Sequence, residues 1–176
     1  MKSTAAAPDA QYVTLGIDRE VFAVPVETVE EILDLRTPFR LPDTPPYLLG
    51  LIDVRGQGVP VIDLRIKLGL PPAAASEQTR IIVLGVPIGE RRLVLGLLAD
   101  RVFEVAALGH ETITPPPDIG TRWRSEYIRG IGRHGEGFVV ILDLPHLFSS
   151  EETAYLGQSS RYAPEVQDGT RSPAAA

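Results

Sequence analysis

Apolar residues fall at every second position in the first patterned stretch, where Val13, Leu15 and Ile17 alternate with Thr14 and Gly16. That is the period of a strand. After Asp18-Arg19, the run Val21-Phe22-Ala23-Val24 predicts the return arm of a hairpin. Further apolar runs cover residues 49–54, 59–62, 81–86, 93–99 and 138–142, and several do not alternate, which predicts strands buried on both faces. One stretch has another spacing: Val26, Val29, Ile32 and Leu33 stand at i, i+3, i+6 and i+7, predicting a short helix with Glu27, Glu30 and Glu31 turned outward. Two further helical turns are predicted after Asp63 and Asp143, each placed to cap free backbone N–H groups, with Pro145 tolerated in a first turn. The fold class is therefore mainly β with a few short helices.

The patterned body has unpatterned flanks. Residues 1–10 and 150–176, rich in Ala, Ser, Gly and Pro, are expected to be flexible tails, and Pro71 to Ser76 an exposed connection within the body. Inside the body a weak repeat emerges. Tyr47, Gly50, Val59, Asp63 and Leu64 return 80 residues later as Tyr127, Gly130, Val139, Asp143 and Leu144. Leu15-Gly16 is echoed by Leu84-Gly85, and Val29-Glu30-Glu31-Ile32 by Val102-Phe103-Glu104-Val105. Chance similarity between aliphatic strands is one explanation; the other is two small β-barrels of related topology over residues 11–149, dividing near residues 71–79 and sharing a core.

Composition narrows the function. A net charge of −6, with 17 basic residues scattered among 23 acidic ones, opposes nucleic-acid binding. With no cysteine there is no disulfide, thiolate metal site or thiol nucleophile. The N-terminus lacks the apolar stretch of a signal peptide and no apolar run is long enough to span a bilayer, so the expectation is a cytoplasmic protein with no direct membrane insertion. Gly130-Ile131-Gly132-Arg133-His134-Gly135 has the letters of a dinucleotide fingerprint, but a strand-like run follows where that motif needs a helix N-terminus. His110, His134 and His146 have no metal-ligand spacing, and neither a nucleophile elbow nor a phosphate loop occurs. No enzyme, cofactor or metal is expected.

Order and spacing point to a family. Gln11 to Leu15 is followed by Val29-Glu30-Glu31-Ile32, then by Tyr47-Leu48-Leu49-Gly50-Leu51-Ile52-Asp53-Val54-Arg55-Gly56 and Pro60-Val61-Ile62-Asp63-Leu64-Arg65. Leu98 to Val102, Pro115-Pro116-Pro117 and Tyr127 to Gly130 continue the series. This succession resembles the CheW family, with its N-L-R-G and P-V-x-D-L-R motifs, over about residues 11–149. The resemblance implies two SH3-like five-stranded β-barrels packed together, without catalysis. It also implies a scaffold coupling the cytoplasmic hairpin tip of chemoreceptors (methyl-accepting chemotaxis proteins) to the regulatory domain of the histidine kinase CheA, in a cytoplasmic two-component system recruited to membrane-associated receptor arrays. Asp53-Val54 replaces the family's Asn-Leu and adds a negative charge beside Arg55.

The same resemblance implies the site. Val29, Glu31, Gly50, Val54 and Arg55 are the receptor-binding candidates, with Val29 in a groove between the barrels and Glu31 as ion-pair partner of Arg55. Arg55 follows a strand and precedes Gly56-Gln57-Gly58, which places it at a turn open to partners. Ile119, in the proline-stiffened loop, is the candidate for the kinase or ring interface. A competing reading, a small β-barrel that binds a ligand or oligonucleotide, has as its local support Trp123 between Arg122 and Arg124.

Overall fold

The computed structural model describes residues 10–109, 112–115 and 125–159. Among the described residues ten strands form two five-stranded sheets: β1 (Ala10–Ile17), β2 (Glu20–Pro25), β3 (Val29–Asp34), β4 (Leu48–Val54), β5 (Gln57–Asp63), β6 (Arg80–Ile88), β7 (Arg91–Ala99), β8 (Arg101–Leu108), β9 (Ile128–His134) and β10 (Gly137–Leu142). One sheet has the order β8-β1-β2-β10-β9 and the other β3-β6-β7-β5-β4. The helices are the single turn α1 (Leu64–Lys67) and the longer α2 (Ser150–Ser159).

The repeat is visible in these orders. Read along the chain, β1 to β5 recur as β6 to β10, and the two sheets become equivalent when each strand is replaced by its counterpart. The hairpins have changed places: β1 and β2 lie in the sheet of β8, β9 and β10, while β6 and β7 lie in that of β3, β4 and β5. The expected division near residues 71–79 therefore needs correction. That stretch joins β5 to β6 within one sheet, and the chain passes between barrels instead at residues 26–28 and at Asp100.

This exchange explains the continuous apolar runs. Ile82 and Leu84 of β6, Ile62 of β5, Phe22 of β2 and Leu142 of β10 belong to one large cluster to which both sheets contribute. Their strand neighbours Ile81, Val83 and Val61 fill a second cluster within one barrel, and Ala23 and Ile141 a third within the other. Each of these strands thus buries one face in its own barrel and the other in a shared core, and a buried Leu, Ile or Phe side chain contributes about 1.5–3 kcal/mol.

The predicted helix over Val26 to Leu33 is replaced by a 3₁₀ turn at Val26–Thr28 and by β3. Val29, Glu31 and Leu33 face inward while Glu30, Ile32 and Asp34 face outward, a period of two. Ile32 is 45% exposed, and an apolar residue on the outer face of a strand imitates helical spacing. Both single-turn expectations correspond to structure. Asp63 Oδ1 accepts the Arg65 N–H at 3.0 Å before α1, whereas Asp143 precedes a 3₁₀ turn at Leu144–His146 without capping it. The tail expected from residue 150 also needs correction, because its first ten residues form α2. Ser149 Oγ accepts the Glu152 N–H at 3.1 Å and Glu152 Oε1 accepts the Ser149 N–H at 3.2 Å, a reciprocal capping box, and Leu156 is fully buried.

Candidate functional site

The sequence candidates lie on the barrel built from β3, β4, β5, β6 and β7. β3 and β4 are opposite edges of its sheet, and the curl of the sheet brings them near each other. Arg55 Nη2 stands 3.7 Å from Glu31 Oε2, and Arg36 Nη1 donates to the Asp53 carbonyl at 2.9 Å. The Arg55 side chain is 84% exposed and that of Glu31 35%, so the pair is a surface feature worth about 0–1 kcal/mol to folding.

The turn that carries Arg55 is the unusual element. Val54 pairs with Gln57, leaving Arg55 and Gly56 as a two-residue loop with φ +54 and +83, the pattern of a type I′ hairpin. Positive φ costs a residue with a Cβ about 1 kcal/mol or more, and Asn or Gly is the usual occupant. Asp53 Oδ1 steadies the loop by accepting the Gly56 N–H at 2.8 Å. The Asp in place of the family's Asn keeps the side-chain oxygen that this bond needs, and Arg55 is left to Glu31.

The remaining candidates divide by role. Val29 begins β3 just after the crossing at residues 26–28 and packs, half-buried, against the shared core. Val54 packs instead against the cluster inside the barrel. Gly50 is buried with φ +144, and a Cβ there would stand 2.2 Å from the Phe39 carbonyl oxygen. Its place is fixed by backbone: Phe39 and Leu51 exchange N–H to carbonyl bonds of 2.7 and 2.8 Å, which lay the segment after β3 onto β4. In the other repeat Gly130 lies under Thr114, with Thr114 and Ile131 exchanging bonds of 2.9 and 2.8 Å. This shared close approach is why Tyr-x-x-Gly recurs. Ile119, Trp123 and His110 lie outside the described residues.

Charged groups that sequence reading gave no role sit between the barrels on α1. Arg65 bonds Asp100 and Asp18, and its pKa is raised chiefly by the Asp100 carboxylate. Burial opposes the charge on Asp100, but hydrogen bonds from Arg65 and from the Asp18 N–H outweigh it and hold the carboxyl below the ordinary range. Lys67 Nζ lies 2.8 Å from Glu152 Oε2 and 4.5, 5.5 and 5.0 Å from the ring centres of Tyr47, Tyr127 and Phe148. Burial likewise opposes the Glu152 charge, and the bonds from Lys67 and the Ser149 N–H prevail, holding its carboxyl at about 2. Burial first, and the Glu152 carboxylate after it, push the Tyr47 hydroxyl upward. The sequence signals were the P-V-x-D-L-R motif for Arg65 and Ser149-x-x-Glu152 for the cap of α2.

The Gly130 to Gly135 stretch spans β9 and its turn, and β10 follows, so the geometry of a dinucleotide site is lacking. His134 pairs with Glu104 and His146 with Asp143, each at 2.9 Å. Among the described residues no cluster of His, Asp and Glu suits a metal, and no helix is long and apolar enough to cross a membrane.

Comparison with known proteins decides the family. The profile described as CheW-like domain matches residues 11–152. The chain belongs to the CheW-like domain family. It is 33% identical over 144 residues to the chemotaxis protein CheW of Klebsiella aerogenes, covering 82% of this chain and 84% of that one. A probable chemotaxis protein CheW of Rhizobium etli is 33% identical over 145 residues, covering 82% and 91%. The crystal structure of the scaffolding protein TtCheW from Thermoanaerobacter tengcongensis superposes with a TM-score of 0.72 at 28% identity, covering 80% of this chain and 93% of that one. The two curled sheets are accordingly the paired SH3-like barrels of a CheW-like domain.

Proposed function

We propose that this chain is a non-catalytic chemotaxis scaffold that couples chemoreceptors to the histidine kinase CheA. A receptor hairpin tip docks in the groove between the barrels, against Val29, with Glu31 and Arg55 at its rim and Gly50 and Val54 shaping the adjoining hairpin. The kinase regulatory domain, or another related barrel in a ring, meets the loop that contains Ile119. The protein acts in the cytoplasm, at membrane-associated arrays, through these contacts and not by insertion.

The observation that carries the reading is Arg55. An exposed arginine held at φ +54, where folding favours Asn or Gly, is a strained residue whose retention calls for a use outside the fold. Titration calorimetry with a soluble chemoreceptor hairpin fragment and with the CheA regulatory domain tests it. Both are expected to bind, separately and together, and nucleotide and oligonucleotide are not. Binding of an oligonucleotide with neither protein recognised would replace this reading with that of a ligand-binding barrel.

A further inference from the structure

The two barrels are joined unequally. On one side Arg65, in the turn that follows β5, reaches across to the β1–β2 hairpin of the other barrel and to the crossing between β7 and β8. Its Nε donates to Asp100 Oδ1 at 3.1 Å, and its Nη2 to Asp100 Oδ2 at 2.8 Å and Asp18 Oδ1 at 3.3 Å. Nη1 donates to the Pro71 carbonyl at 3.1 Å. The network is closed, since Asp100 Oδ2 also accepts the Asp18 N–H at 2.7 Å and the Asp100 N–H donates to the Gly16 carbonyl at 3.0 Å. Only 11% of the Arg65 side chain is exposed, and a planar guanidinium meets a carboxylate with two parallel bonds, which an ammonium does not.

On the equivalent side the chain has a different residue. Eighty positions after Arg65 stands Pro145, which lines an open cleft of about 1320 Å³ with the β6–β7 hairpin residues Pro87, Ile88 and Leu93 and with Phe148. Val29 enters β3 from the other crossing, at residues 26–28.

We infer that Arg65 is a positioning residue for partner binding. By fixing the crossing at Asp100 to the β1–β2 turn, it sets the angle between the barrels and hence the shape of the surface that half-buried Val29 presents at the opposite crossing. This rests on the receptor-docking reading above, which Arg65 serves without touching the partner.

The test uses the full chain, whose lack of cysteine permits clean spin labelling. Exposed Glu90 and Glu136, on the β6–β7 and β9–β10 turns, are replaced by Cys to report distance across the barrels by pulsed electron resonance. Gln57→Cys with Glu90→Cys reports distance within one barrel. Arg65→Lys is the main variant. Asp18→Asn is the second, because Asn tolerates the φ of +58 at that turn and the fold is preserved. Both are expected to broaden or shift the distance across the barrels and leave the internal one unchanged. Affinity for a chemoreceptor hairpin fragment should fall about tenfold in Arg65→Lys, as when the competent geometry is populated a tenth of the time. An unchanged cross-barrel distribution in both variants overturns the inference, and so does a changed distribution with unaltered affinity. If the wild-type chain binds no hairpin, the proposed function fails, and a changed distance then leaves Arg65 as a clamp between barrels with no part in binding.

Discussion

The β4–β5 and β9–β10 turns occupy equivalent places in the two barrels, yet only one carries strain. Position 55 is an arginine at φ +54, and position 135, its counterpart, is a glycine at φ +62. Beside the first turn Arg55 pairs with Glu31 of β3; beside the second, His134 pairs with Glu104 of β8. Glycine suffices to close the second hairpin, which teaches that folding alone does not call for the arginine. The same logic separates Arg65 from Pro145: where architecture repeats and chemistry does not, the unrepeated side chain is the one to explain by function.

The largest effect is expected where the repeats agree. Gly50→Ala places a Cβ against the Phe39 carbonyl at φ +144 and should cost about 3 kcal/mol or more in denaturant unfolding. Gly130→Ala meets Ile113 Cγ2 at 2.7 Å and the Thr114 carbonyl oxygen at 2.9 Å, without positive φ, and should cost less. Equal losses would show that the close approach at Gly50 is not the tighter one.

Next comes a tie without a repeat. Position 147, the counterpart of Lys67, is a leucine, so the ion pair with Glu152 has no equivalent in the other half. The folded pKa of Glu152, about 2, lies below the 4.5 of a free carboxyl. Its contribution is therefore complete above pH 4.5 and is lost as pH falls toward 2. Glu152→Gln should lower stability at neutral pH by about 2 kcal/mol and flatten the acid limb of a melting-temperature profile. An acid limb as steep as that of the wild type would remove Glu152 from the account.

The turns themselves give smaller shifts of opposite sign. Arg55→Asn supplies the preferred Asn-Gly pair and should raise stability by about 0.5–1 kcal/mol, whereas Gly135→Ala should lower it by about 1 kcal/mol. Smallest of all, Glu104→Gln should alter stability by no more than about 1 kcal/mol, because its pair with His134 is exposed. A larger loss there would mean that the second barrel, unlike the first, depends on its closing ion pair.

Much of the fold was legible because the β1–β2 alternation, the Arg55-Gly56 turn and the doubly apolar strands are local patterns. β3 was not, since Ile32 on its outer face disguised a period of two as helical spacing. The exchange of hairpins was not legible either. Periodicity records which faces are buried and is silent on which strands pair, so the repeat implied two barrels without revealing that each borrows from the other half. α2 escaped because, among its described side chains, Leu156 alone is fully buried, and its anchor is the polar Lys67–Glu152 contact. Arg55 and Glu31 were placed together by resemblance to a family. Arg65 ends the P-V-x-D-L-R motif, but its partners Asp18 and Asp100 lie 47 and 35 positions away, and the fold alone brings them to it.

Whether Arg55 is kept for a partner at a cost to the fold is decided by calorimetric titration of a chemoreceptor hairpin fragment into wild type and Arg55→Asn, alongside their denaturant midpoints. The variant is expected to be more stable and to bind at least about tenfold more weakly, a loss of about 1.4 kcal/mol in binding. A variant that gains stability and binds as the wild type does would contradict it.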